Sequence, residues 1–181
     1  DYDRDGDLDL FVSNYVVWSK EINESVDYRL TGLGPAYGPP TDFAGTHSLL
    51  YRNDDGGFTE VSADAGIHVI GSSKTPVGKG LAVHPMDVNG DGWLDIVVAN
   101  DTVRNFLFVN QRNGRFQESG VSYGLAFDNG GTATGAMGID AAYYANDERL
   151  GIAIGNFANE MSSFYVMRGT ESLFSDDSVV A

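Results

Sequence analysis

The chain opens with DYDRDGDLD at residues 1–9, and the same spacing returns as DVNGDGWLD at residues 87–95. In both segments, oxygen-bearing side chains stand at positions 1, 3, 5 and 9, and glycine stands at position 6. Hard cations such as calcium take about six to eight oxygen ligands, and a tight glycine-assisted turn supplies several of them from one segment. The pattern therefore predicts two calcium-binding loops. Their candidate ligands are Asp1, Asp3, Asp5, Asp7 and Asp9 in the first loop, and Asp87, Asn89, Asp91, Trp93 and Asp95 in the second.

Both loops differ from an EF-hand, which begins with a similar spacing. An EF-hand loop needs a bidentate glutamate at position 12, where this chain has Val12 and Val98. The runs LFV at residues 10–12 and IVV at residues 96–98 instead predict buried strands, so each loop joins two strands. Position 7 differs between the copies, which favours its backbone carbonyl as the ligand. The alternative is an acidic β-turn without metal, although five neighbouring carboxylates would then repel one another.

Composition excludes several classes of protein. The 181 residues suit one domain, and the net charge of −15 argues against nucleic-acid binding. The absence of cysteine excludes disulfides, thiolate metal sites and cysteine nucleophiles. No apolar run approaches the ~18 residues of a membrane span. Because the chain begins at the first ligand of a loop, we expect it to be a piece of a longer protein.

Three copies of one strand pattern can be aligned along the chain. Each copy runs strand, loop, strand, strand, tight turn and strand, and the first copy lacks its first strand. Asn14, Asn100 and Asn156 fall at one register of this alignment, and Phe58, Phe116 and Phe174 fall at another. Repeats of this length with four short strands indicate propeller blades. The predicted fold is all-β, a partial β-propeller over residues 1–181, with blades at residues 1–67, 78–125 and 135–181.

The third copy has a degenerate loop, Tyr143–Gly151. The register from Leu150 places Tyr143, Ala145, Asp147 and Gly151 at positions 1, 3, 5 and 9. Three of these four residues offer no side-chain ligand of the kind found in the other loops. We therefore predict that the third loop binds no metal and that packing of Tyr143 or Tyr144 holds its turn.

Residues 18–46 form an insertion without a counterpart in the other copies. The pairs Gly34-Pro35 and Pro39-Pro40 predict a lack of regular structure there. The insertion also carries Trp18, Tyr28, Tyr37 and Phe43. These aromatic residues either pin the insertion to its own blade or form a functional surface.

These motifs resemble the FG-GAP or VCBS repeat, the calcium-loop blade of integrin α-subunit propellers. The resemblance rests on the two loops, on LYRN at residues 50–53 and on GRF at residues 114–116. The order NYV at residues 14–16, insertion, then LYRN is most similar to the branch that carries ASPIC/UnbV domains, akin to cartilage acidic protein. The resemblance implies seven blades, with the others in the rest of the polypeptide or in partner copies. It also implies calcium at the residues named above, export to the cell surface, periplasm or exterior, and a role in adhesion or interaction.

No catalytic constellation stands out in the sequence. His47, His68 and His84 share no metal-ligand spacing, and neither a nucleophile elbow nor a phosphate-binding loop is present. The favoured interpretation is a non-enzymatic, calcium-stabilised module that binds a protein or glycan partner. The alternatives are part of a propeller enzyme with an active site on the axial face, and a structural subunit that makes contact through the insertion.

Overall fold

The computed structural model describes residues 1–147, 149–169 and 173–179. The described strands are β1 (Leu10–Val12), β2 (Arg29–Leu30), β3 (Gly34–Pro35), β4 (Leu49–Asp54), β5 (Gly57–Glu60), β6 (Gly80–Met86), β7 (Asp95–Asn100), β8 (Phe106–Asn110), β9 (Phe116–Glu118), β10 (Ala136–Tyr143), β11 (Leu150–Asn156), β12 (Ser163–Arg168) and β13 (Leu173–Asp176). The helices α1 (Lys20–Val26) and α2 (Ser62–Ala65) are short. None of the described helices is long and apolar enough to cross a membrane.

Three of the four sheets formed by the described residues are antiparallel meanders. The first sheet has the order β1-β4-β5, the second β6-β7-β8-β9 and the third β10-β11-β12-β13. The fourth is the small β2-β3 hairpin. The predicted all-β class and strand pattern are confirmed. Residues 148, 170–172, 180 and 181 of the predicted third blade lie outside the described residues.

The second sheet lies between the other two. Along β7, Ile96 and Val98 belong to the core shared with the first sheet, while Val97 and Ala99 belong to the core shared with the third. Every residue of β7 and β8 is buried. Burial on both faces explains why the sequence of β7 reads as a continuous apolar run without alternation.

The predicted alignment of the three copies is confirmed by two features of the structure. Met86 pairs with Asp95 in the second sheet, and Ala142 pairs with Gly151 at the same register of the third. The side-chain amides of the three aligned asparagines donate to carbonyls two residues before the third strand of each copy. These bonds are Asn14 to His47 at 2.9 Å, Asn100 to Arg104 at 2.9 Å and Asn156 to Met161 at 2.7 Å.

The segment that follows each sheet packs on the next sheet. Ile67 joins the core between the first and second sheets, and Leu125 joins the core between the second and third. Gly66 has φ 80°, and an added Cβ there would lie 2.6 Å from the carbonyl oxygen of Phe116. Gly124, with φ 78°, lies against Phe174 in the same way. The glycines therefore let each linker approach the fourth strand of the following sheet closely.

The prediction that the insertion lacks regular structure was wrong. It contains α1, whose Ser19 side chain caps the Ile22 amide at 3.2 Å, and the β2-β3 hairpin. The helix lies upstream of the glycine-proline pairs, so they do not interrupt it. Gly34 and Pro35 themselves form β3, a two-residue strand paired on one side only among the described strands, where proline is tolerated.

Candidate metal centre

The aspartate at position 9 anchors both acidic loops to the sheets. Asp9 accepts from the amides of Tyr2 at 2.9 Å and Asn53 at 3.0 Å. Asp95 accepts from the equivalent amides, Val88 at 3.0 Å and Asn110 at 2.8 Å. Each carboxylate thus joins the start of its loop to the end of the third strand.

The asparagine at the end of the third strand completes this anchor. The side-chain amide of Asn53 donates to the Leu8 carbonyl at 3.2 Å, and that of Asn110 donates to the Leu94 carbonyl at 3.2 Å. Sequence reasoning missed the role of these two asparagines. Their shared place at the end of LYRN and FLFVN was the available signal.

Asp95 is the more deeply buried of the two anchors. It has no exposed surface, and burial raises the pKa of its carboxyl to about 6, although the amides of Asn110 and Val88 act in the opposite direction. The Asp9 side chain is 5% exposed. Position 9 therefore has an architectural role in addition to any contact with a cation.

The first loop brings three carboxylates together. Oxygens of Asp1, Asp3 and Asp9 lie within 4.8 Å of one another. Asp3 Oδ1 is buried and has no hydrogen-bond partner among the described residues. Burial raises the pKa of Asp3, and the charges of Asp5 and Asp9 add to this effect. This oxygen-only donor set fits a hard cation such as calcium.

The side chains of Asp5 and Asp7 make backbone contacts in the first loop. Asp5 Oδ1 accepts from the Asp7 amide at 2.9 Å, and Asp7 Oδ2 accepts from the Asp55 amide at 3.0 Å. The second contact ties the loop to the turn between β4 and β5. Of the five predicted side chains, the structure therefore gathers three and uses two to shape the loop.

In the second loop, backbone amides of the loop itself donate hydrogen bonds to its polar side chains. Asp87 accepts from the amides of Asp91 at 3.1 Å and Gly92 at 2.7 Å, and Asn89 Oδ1 accepts from Asp91 at 2.9 Å. Asp91 accepts from the Trp93 amide at 2.8 Å and pairs with Arg112 at 2.9 Å. Partial burial acts to raise the pKa of Asp91, but these bonds from Trp93 and Arg112 hold it below its usual value.

The two loops touch each other through Arg4. Its guanidinium donates to the Gly92 carbonyl and lies 4.7 Å from the centre of the Trp93 ring. The side chain of Trp93 therefore serves as a platform for Arg4. This leaves the backbone carbonyl, as predicted for position 7, as the group that Trp93 could offer to a cation.

The comparison with protein-family models covers the second and third loops. Residues 87–154 match the family model of the FG-GAP-like repeat. The match starts at position 1 of the second loop and ends in β11. It supports the FG-GAP family, whereas the narrower resemblance to the ASPIC/UnbV branch stays a prediction. No curated protein matches the chain.

Within the FG-GAP-like repeat match, the third loop keeps the turn but replaces its polar anchor with packing. Tyr144 meets the Phe164 ring edge-on at 5.1 Å, and an added Cβ at Gly151 would lie 2.8 Å from the Tyr144 ring. Tyr143 is 64% exposed, so the predicted packing role falls on Tyr144. Met167 stands where Asn53 and Asn110 stand in the other copies, as its pairing with Phe174 shows. Residue 148 of this loop lies outside the described residues.

Proposed function

We propose that the chain is a calcium-stabilised β-propeller module that presents its loops to a protein or glycan partner outside the cytoplasm. The observation that carries the calcium part is the convergence of Asp1, Asp3 and Asp9 around a buried, unpartnered oxygen of Asp3. The FG-GAP-like repeat match supports the propeller part.

The arrangement of the sheets supports blades at residues 1–67, 78–125 and 135–181. The meanders stack face to face, and the first strand of the third sheet, β10, packs beside β6, the first strand of the second. Each linker crosses to the fourth strand of the next sheet, as between Gly124 and Phe174. First strands side by side and a repeated outer connection suit sheets set radially around an axis. The remaining blades would lie in the rest of the polypeptide or in partner copies.

Calcium would have a structural role in this module. The ion would be held by Asp1, Asp3 and Asp9, where it would offset their mutual repulsion and satisfy the buried Asp3 oxygen. Extracellular modules hold calcium with dissociation constants of about 10⁻⁴ to 10⁻³ M, a range that external calcium fills and cytosolic calcium does not. The proposed location outside the cytoplasm rests on this argument and on the family resemblance.

Thermal unfolding of the metal-free protein tests the calcium proposal. Added calcium should raise the melting temperature, and a chelator should reverse the rise. Asp3→Asn should abolish most of this response because it removes a charge from the cluster. Asp140→Asn is the matched control, since its side chain is 88% exposed and lies outside both loops. An unchanged melting temperature with calcium, or a full response in Asp3→Asn, would refute the proposal.

A further inference from the structure

The insertion forms an aromatic groove that is separate from the acidic loops. The cavity has a volume of about 390 Å³. Four aromatic residues contribute to its lining, together with Asn23 and Pro40. The aromatic residues are Tyr15, Trp18, Tyr37 and Phe43. A volume of this size holds a small organic molecule.

Backbone contacts set the shape of the groove. The Val17 amide donates to the Ala44 carbonyl at 2.8 Å, which joins the two ends of the insertion. Phe43 is 8% exposed, while Trp18 is 56% exposed and Tyr37 is 83% exposed. Of these three aromatic side chains, Phe43 is buried, and solvent can reach Trp18 and Tyr37.

Two of the hydrogen-bonding groups near the groove are already engaged. The Tyr15 hydroxyl donates to the Asp101 carboxylate. The Lys79 ammonium is buried and donates to the Pro40 carbonyl. Unpaired polar groups are costly to bury, so a ligand without N–H donors avoids competing for these engaged groups.

The insertion carries more negative than positive charge. Residues 18–46 contain four acids against two bases. Both bases lie beside acids of the insertion, Lys20 at 3.7 Å from Glu24 and Arg29 at 2.8 Å from Asp27. The other acids include Asp42, whose carboxylate lies beside Gly38 in the lining. The Lys79 ammonium adds one positive charge beside the lining, but the acids of the insertion and the net charge of −15 over the whole chain keep the surroundings negative and favourable to a cation.

Among the described residues, no cation of the chain lies over a ring of the groove, although the Lys79 ammonium lies beside the groove at Pro40. Elsewhere among the described residues, arginines cover aromatic rings in three places: Arg4 on Trp93, Arg104 on Phe106 and Arg149 on Tyr144. Within the same described ranges, no such contact involves Tyr15, Trp18, Tyr37 or Phe43. Aromatic faces attract cations by their quadrupole, most strongly for tryptophan.

We propose that this groove binds the trimethylammonium group of a small molecule of the choline type. Such a cation has an apolar surface and no N–H donors, so it can lie against aromatic walls without needing hydrogen-bond acceptors. A glycan would bring many hydroxyls, and a lysine or arginine side chain would bring three to five N–H donors. The acidic surroundings add long-range attraction without requiring a direct ion pair.

A comparison of choline with its neutral isostere tests the proposal. In the isostere a tert-butyl group replaces trimethylammonium, so shape is kept and charge is lost. Calorimetric titration of the calcium-loaded protein should show that choline binds at least about tenfold more tightly. Equal affinity for the two compounds, or no choline binding at about 10 mM, would overturn the proposal.

Single substitutions locate the site. Trp18→Ala and Tyr37→Ala should each weaken choline binding by about three- to thirtyfold, because each removes an aromatic face. Tyr143→Ala is the matched control, since Tyr143 is also exposed but lies in the third loop. Unchanged affinity in both groove variants would overturn the assignment to this groove. Asp3→Asn should leave choline binding intact, which separates this proposal from the calcium proposal.

Discussion

The loops at residues 1–9 and 87–95 share one spacing and one anchor but balance their charges differently. In the second loop, Asp91 pairs with Arg112 at 2.9 Å, and backbone amides occupy Asp87. In the first loop, Asp3 keeps a buried oxygen without a partner, beside Asp1 and Asp9. The spacing thus sets the path of the loop, while residues outside it decide what neutralises the acids.

This difference separates two roles that the motif combines. The carboxylate at position 9 accepts hydrogen bonds from backbone amides in both loops. Positions 1, 3 and 5 are free to serve a cation or the protein's own donors. Arg112, 21 residues from Asp91, is the group that most distinguishes the second loop.

Loss of the position-9 anchor should have the largest effect on stability. Asp95→Ala leaves the amides of Val88 and Asn110 buried without acceptors, and each such group costs about 1 to 3 kcal/mol. We expect the free energy of unfolding in urea to fall by about 3 to 5 kcal/mol, with or without calcium. Asp9→Ala should act in the same direction with a smaller effect, because Asp9 is less deeply buried.

A loss of stability in Asp95→Ala that appears only with calcium would contradict the architectural role. Asp140→Ala again serves as the control on an exposed site. Equal effects of all three substitutions would show that the anchor adds nothing beyond surface charge.

The pH dependence of stability should report the buried charge of Asp95. Burial raises the pKa of this carboxyl in the folded protein to about 6, from an ordinary value of 3.8. The folded state therefore binds more protons than the unfolded state between these values, and the cost of ionised Asp95 disappears as pH falls through this window. In chelator, the wild type should gain about 2 to 3 kcal/mol relative to Asp95→Asn between pH 7 and pH 4. Parallel pH profiles for the two proteins would contradict this assignment.

The fold could be predicted from local sequence patterns, because each copy repeats the same strands and turns. Asn14, Asn100 and Asn156 could be aligned in the sequence because each donates the same side-chain hydrogen bond to a loop carbonyl. The insertion was harder to predict. Its helix α1 depends on the Ser19 cap, a local signal that the following glycines and prolines obscured.

The candidate site could be predicted only in part from its spacing. Spacing places carboxylates in a turn but does not show which of them meet amides from other strands. Asn53 lies 44 residues from Asp9, and Arg112 lies 21 residues from Asp91. These long-range donors decide which oxygens are left for a cation, so the two loops look alike in sequence and differ in structure.

Removal of Arg112 should make the second loop more like the first. In Arg112→Ala, Asp91 loses its ion pair, so its carboxylate becomes available to calcium. At calcium concentrations about 10 to 100 times the dissociation constant, one site adds about 1.4 to 2.7 kcal/mol of stability. We expect calcium to stabilise this variant by about 1 to 2 kcal/mol more than it stabilises the wild type. Arg115→Ala, in the same hairpin, is the control, and equal calcium responses in all three proteins would show that Arg112 does not limit the second loop.

The third loop should be indifferent to calcium because packing has replaced its anchor. Tyr144→Ala removes the edge-on contact with Phe164 and the ring beneath Arg149, and edge-on aromatic pairs contribute about 0.5 to 1.5 kcal/mol beyond their buried area. We expect a loss of about 1 kcal/mol in urea unfolding, equal in calcium and in chelator, whereas Tyr143→Ala should change stability by less than about 0.5 kcal/mol. A calcium-dependent loss in Tyr144→Ala would mean that the third loop still senses an ion. Gly151 stands at the position of Asp9 and Asp95, and Met167 stands at the position of Asn53 and Asn110. The structure therefore favours a third turn held by packing, where the other two turns are held by hydrogen bonds.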